Sequence, residues 1–229
     1  MEQNILIERL RSLADDSYKE FTAKLIPGIT HILGVRTPQL RKLATELMKK
    51  EEWFDILAQT PRYHEEKMLH ALLIGQGPID SSARFQLLTR FIPLIDNWAV
   101  CDLCCSELKR LVQTAPAETW NFLTPYLNSI QPFERRFGIV MLFHYLQDDY
   151  LEHILAYADS FCHEDYYVRM GMAWLLSGCF VKYPIQTMDY LEHSRLDIFT
   201  YNKALQKIIE SRCVDKATKN RIRSMKRRP

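Results

Sequence analysis

The feature that most restricts the fold of this chain is a segment written twice. Phe133-Glu-Arg-Arg-Phe-Gly-Ile-Val-Met141 aligns with Tyr166-Tyr-Val-Arg-Met-Gly-Met-Ala-Trp174 at a shift of 33 residues. An aromatic, an arginine and a glycine coincide in the two copies (Phe133/Tyr166, Arg136/Arg169, Gly138/Gly171). A unit of this kind cannot bury its apolar face alone and does so by stacking on its neighbours.

The rest of the chain supplies such neighbours. Residues 3–13 predict a first helix, with Ile5, Leu6, Leu10 and Leu13 on one side. Asp15-Asp16-Ser17 breaks it and offers a cap for a second start at Tyr18, which Pro27-Gly28 then stops. Thr37-Pro38 opens a third helix with the stripe Leu40, Leu43, Leu47 and Met48. Further helices are expected over 53–59, over 63–74 with an end at Gly75, and over 82–91. Asp96 or Asn97 caps the next, from Trp98 through Leu111. Residues 116–129 with 133–147, 148–161 with 165–182, and 184–194 with 198–211 read as helix pairs. No alternation of strand period persists, and 7 Gly and 10 Pro in 229 residues argue against a sandwich of many short strands. The expected fold is all-α, an α-α superhelix of the ARM/HEAT-like repeat solenoid type, in a single HEAT-like repeat domain over 1–229.

One helix carries an unusual pair. In Asn97-Trp-Ala-Val-Cys-Asp-Leu103, residues four apart share a helix face, so Trp98 and Asp102 project together. A carboxylate amid Ala99, Val100, Cys101, Leu103 and Cys104 is costly unless something offsets it. By itself the pair also fits a half-exposed or Arg-paired Asp102 beside a core indole. In a solenoid the second helices line one concave face. Trp98 and Asp102, Arg135 and Arg136, and Trp174 are then expected to converge there from three neighbouring repeats.

Other candidates are weaker. Cys101-x-x-Cys104 lacks a second half at metal-ligand spacing and reads as reduced thiols in a helical core. The seven histidines are scattered. Glu65-Glu66 reads as surface favoured by a helix N-terminus rather than an acid/base pair. Glu134-Arg135-Arg136 taken alone reads as a solvated helix end, and Trp53 and Trp120 as packing. The net charge of +2 excludes neither nucleic acid nor protein partners. Its distribution is uneven, with Arg212, Lys216, Lys219, Arg221, Arg223, Lys226, Arg227 and Arg228 against Asp215 alone. Such a tail suits phosphate, or is a solvated terminus. No signal-like or membrane-spanning run is present, so a cytoplasmic protein with no membrane contact is expected.

With these residues in view, the chain resembles the AlkD-like, HEAT-like repeat DNA glycosylases of DNA alkylation repair. Ile32-Leu-Gly-Val-Arg-Thr-Pro-Gln-Leu-Arg41 is similar to that family's opening motif, and its catalytic Trp-x-x-x-Asp falls on Trp98 and Asp102. Its phosphate-contacting arginine falls on Arg136, or on Arg135 by a one-residue slip, and its second cleft tryptophan on Trp174. The resemblance implies a monomer that excises cationic N3- or N7-alkylpurines from duplex DNA without metal or organic cofactor. Asp102 would be the catalytic carboxylate, with Trp98, Trp174 and Arg136 or Arg135 binding substrate.

The sequence departs from that family at one place. The second N-terminal helix, which contacts DNA in the family, is interrupted here by Pro27-Gly28, with Lys19 and Lys24 the cations near it. Two readings therefore stand. One is an active glycosylase. The other is a paralogue that keeps the cleft, binds DNA weakly, excises little or nothing, and serves as a helical-repeat binding module.

Overall fold

The computed structural model of the chain describes residues 3–50 and 53–228, and the regular elements among them are helices. The chain divides into two compact units, Met1–Phe122 and Leu123–Pro229.

The first unit opens with α1 (Gln3–Ser12) and α2 (Asp16–Leu25). Asp15 caps α2, its carboxylate accepting from the Tyr18 amide at 3.0 Å. Helix α2 stops before Pro27, and Gly28 turns the chain with a φ of 84°. Next come α3 (Thr37–Lys49), α4 (Trp53–Leu57), α5 (His64–Gln76) and α6 (Ser81–Phe91). They are followed by α7 (Trp98–Glu107), α8 (Lys109–Thr114) and α9 (Pro116–Leu127), the last of which crosses the division between the units. Helices α3, α5 and α7 pack side by side, while α4 and α6 lie against α5. Leu40, Leu43 and Leu47 of α3 and Leu69, Leu72 and Leu73 of α5 are fully or almost fully buried. Each such leucine stabilises the fold by about 1.5–3 kcal/mol relative to exposure.

Central α5 is buried on nearly every side, the polar side chains of His64, Glu65, Glu66 and His70 included. That explains a departure from the expected end at Gly75. The helix runs on to Gln76 because Gly75 is where α5 touches α7, and a Cβ at that position would overlap the Cβ of Glu107. The Trp98 helix, in contrast, does not continue unbroken to Leu111; it breaks at Leu108 and restarts as α8.

The second unit contains α10 (Pro132–Met141), which continues as a 3-10 turn (Leu142–Tyr145). It goes on through α11 (Asp148–Asp159), α12 (Tyr166–Lys182), α13 (Pro184–His193), α14 (Ile198–Glu210) and α15 (Lys216–Ser224). Helices α10, α12 and α14 form the same side-by-side series, with α13 against α12 and α15 against α14. The repeated arginines perform equivalent jobs. Arg136 donates to the Tyr167 carbonyl at 2.6 Å, and Arg169 donates through Nε to the Thr200 hydroxyl at 3.3 Å. Each bond spans 31 residues and ties one inner helix to the first turn of the next. The chain is thus an all-α helical-repeat protein.

Candidate functional site

In the first unit the site begins at the N-terminus of α7. Asn97 caps it, its side-chain oxygen accepting from the Val100 amide at 3.1 Å, while its amide group meets Asp96 at 2.9 Å and His64 Nδ1 at 3.3 Å. This polar lock fixes where Trp98 starts. The half-buried Trp98 indole donates through Nε1 to the Leu25 carbonyl, at 3.1 Å, on the last residue of α2. Half-buried Asp102 stands one turn further along the same helix face. Behind the pair, Cys101, Cys104 and Cys105 are buried, and burial pushes the Cys104 and Cys105 thiols well above the usual range. Such thiols stay protonated and serve as packing. No group of three or more His, Cys, Asp or Glu side chains among the described residues is placed to hold a metal ion.

Sequence reasoning missed a cavity that reaches the cap of α7. The segment at Pro27-Gly28 forms one wall of a polar cavity of about 290 Å³, whose far side is Arg62, His64, Lys67, Asp96 and Asn97. Lys67 pairs with Asp96 at 2.5 Å, and burial holds the His64 imidazole below its usual pKa. No local signal marks this cavity, because its walls come from three separated segments. Helix α2 itself is mostly exposed, with Thr22 its buried side chain and Phe21 and Leu25 facing solvent at 56% and 47%.

Glu65 and Glu66 are not surface residues. Both are buried because their carboxylates replace water for backbone amides that lie far off in the chain or just ahead of the helix. Glu65 accepts from Leu33, Gly34 and Val35 at 2.9, 2.6 and 3.2 Å. Glu66 accepts from the amides of Arg62 and Tyr63 at 2.9 and 2.8 Å, and from the side chain of Gln3 at 3.0 Å.

The remaining expected residues belong to the second unit. Arg136 is 6% exposed, and its guanidinium lies at the contact of α10 with α12, beside Gly171. Trp174 is one turn beyond Gly171, 42% exposed, with its ring 4.5 Å from that of Phe143. Arg135 turns elsewhere. Its Nε donates to the Tyr157 hydroxyl at 3.3 Å, and its guanidinium lies 5.4 Å from the centre of the Phe161 ring. The Tyr157 hydroxyl donates to the Leu127 carbonyl at 2.7 Å, and burial raises its pKa above the usual value. Trp98 with Asp102, and Arg136 with Trp174, are therefore neighbours each within their own unit.

The family model for DNA alkylation repair enzyme matches residues 6–208. No match appears among curated proteins. The matched span takes in both units, from α1 to α14, and the chain belongs to the DNA alkylation repair enzyme family.

Proposed function

We propose that this chain is a DNA glycosylase that removes cationic N3- or N7-alkylpurines from duplex DNA. The observation that carries the reading is Asp102 sharing one face of α7 with Trp98 in a chain of this family. An alkylated purine bearing positive charge leaves readily, because the bonding electron pair flows to the base nitrogen and neutralises the ring. The sugar carbon left behind develops oxocarbenium character. A fixed carboxylate, Asp102, stabilises that cation and orients the water whose oxygen completes the sugar, the proton passing to solvent. The indole face of Trp98, beside Asp102, attracts the cationic nucleotide, and in the second unit the exposed face of Trp174 offers the same chemistry. Either arginine must leave its present partners to reach a backbone phosphate, since Arg136 is 6% exposed and bonded to the Tyr167 carbonyl while half-buried Arg135 is turned onto Tyr157 and Phe161.

A second reading has an observation of its own. Helix α2 ends at Leu25, and its carbonyl already occupies the Trp98 indole N–H. A chain arranged in this way fits a paralogue that keeps the catalytic face but grips DNA weakly.

Release of methylated base from N-methylpurine duplex DNA separates the two. An active glycosylase releases base, and Asp102→Asn lowers that rate about 100-fold or more. No release, together with weak duplex binding at low salt, establishes the second reading in its place.

A further inference from the structure

The family match ends at residue 208, inside α14, and the chain beyond it is built onto the fold rather than left as a solvated tail. Ile222 of α15 is fully buried. Arg227 is a staple. Its guanidinium lies 3.7 Å from the centre of the Tyr201 ring and donates to the carbonyls of Leu196, at 2.8 Å, and Ser194. Its backbone amide donates to the Asn202 side chain at 3.0 Å, and the Asn202 amide group donates back to the Arg227 carbonyl at 2.8 Å. The neighbouring residue, Lys226, is thereby held at the rim of an open cleft of about 770 Å³.

That cleft is cationic with an aromatic floor. Arg169 and Lys203 both lie over the Phe199 ring, 4.3 and 5.7 Å from its centre, and Asn202 and Gln206 complete the lining with Lys226. The lining carboxylate, Asp197, is paired with Arg169 and also caps α14 through the Thr200 amide, which holds its pKa below the usual value. Arg169 and Asp197 thus neutralise each other, which leaves Lys203, bonded to the neutral Gln206 side chain at 3.3 Å, and Lys226 as the uncompensated charges of the lining. Exposed Ile198 adds apolar surface beside Phe199.

We propose that this cleft is a backbone-binding site for duplex DNA, with Lys203 and Lys226 on phosphates and Phe199 against the sugar edge. Its lining belongs to the matched span except for Lys226, which the docked C-terminal segment adds, and the proposal rests on the DNA-repair reading above. Charge complementarity commits the occupant to a polyanion. Free cations on a fixed frame give defined phosphate contacts, whereas a mobile tail gives only a diffuse field.

The test compares two double variants that remove equal charge. Lys203→Gln/Lys226→Gln alters the cleft, and Lys216→Gln/Lys219→Gln alters α15 outside it. Binding of undamaged duplex DNA is followed across a salt series, with thermal melting to check that both variants stay folded. Each phosphate contact contributes about 0.9 to the slope of log affinity against log salt, so the cleft variant is expected to flatten that slope by about 1.8. The α15 variant is expected to change it by less than half as much. Equal effects of the two variants overturn the cleft in favour of a diffuse basic surface. An unchanged slope in the cleft variant, with the parent protein still binding, overturns the site and leaves the DNA-repair reading standing. A parent protein that binds no duplex overturns both.

Discussion

The indole Nε1 of Trp98 donates to the backbone carbonyl of Leu25 at 3.1 Å, joining the first residue of α7 to the last residue of α2 across 73 positions of sequence. Helix α2 buries so little that this bond is a principal anchor of its C-terminal end. Trp98→Phe keeps a ring in place and removes the donor, at a cost of about 1 kcal/mol. Amide exchange is expected to accelerate in the last turn of α2, including the Ile26 amide that bonds to Thr22, while the global melting temperature moves little. Exchange that stays unchanged there would show that the anchor lies elsewhere.

Glu65 gathers three backbone amides of the segment that opens the family motif, Leu33 to Val35. Glu65→Gln turns one acceptor oxygen into a donor facing other donors. A loss of about 2–3 kcal/mol is expected in urea unfolding, since hydrogen bonds to a buried charged group are costly to break. A loss under 0.5 kcal/mol would mean that water replaces the carboxylate.

Gly75 sets the spacing between α5 and the helix that carries Asp102. Alanine at this position gains about 1 kcal/mol in helix propensity but must displace the Glu107 backbone, and overpacking costs about 1–3 kcal/mol. Gly75→Ala is expected to lower the melting temperature and, in an active glycosylase, to slow base release as α7 moves. A variant more stable than the parent contradicts the close approach.

His70 makes stability depend on pH. Burial lowers its pKa from 6.5 to about 4, despite the opposing charge of Glu66. The unfolded chain therefore binds a proton that the folded chain refuses. This contribution to stability is complete above pH 6.5 and is lost as pH falls towards 4, by up to about 3 kcal/mol. Buried His64, shifted in the same direction, adds to the effect. The urea midpoint is expected to drop between pH 7 and pH 5, and to drop less in His70→Phe. An equal drop in parent and variant places the titrating group elsewhere.

What the sequence by itself determined is what short-range chemistry controls. Asp15 and Asn97 cap their helices because a side-chain oxygen reaches an amide three residues on. Pro27 ends α2 because it lacks an amide hydrogen, and Trp98 shares a face with Asp102 because of the helical period. The Arg136/Arg169 repeat likewise announced stacked helices. Tertiary structure alone decided the rest. Gly75 continues a helix because α7 is near; Glu65 and Glu66 are buried because Leu33 to Val35 and Gln3 bring donors to them. The C-terminal segment is docked because Arg227 meets carbonyls about 30 residues upstream. Apart from the bonds of Glu66 to the Arg62 and Tyr63 amides, which are local, the deciding partner in these cases is another repeat or segment, tens of residues away, so no local pattern could encode it.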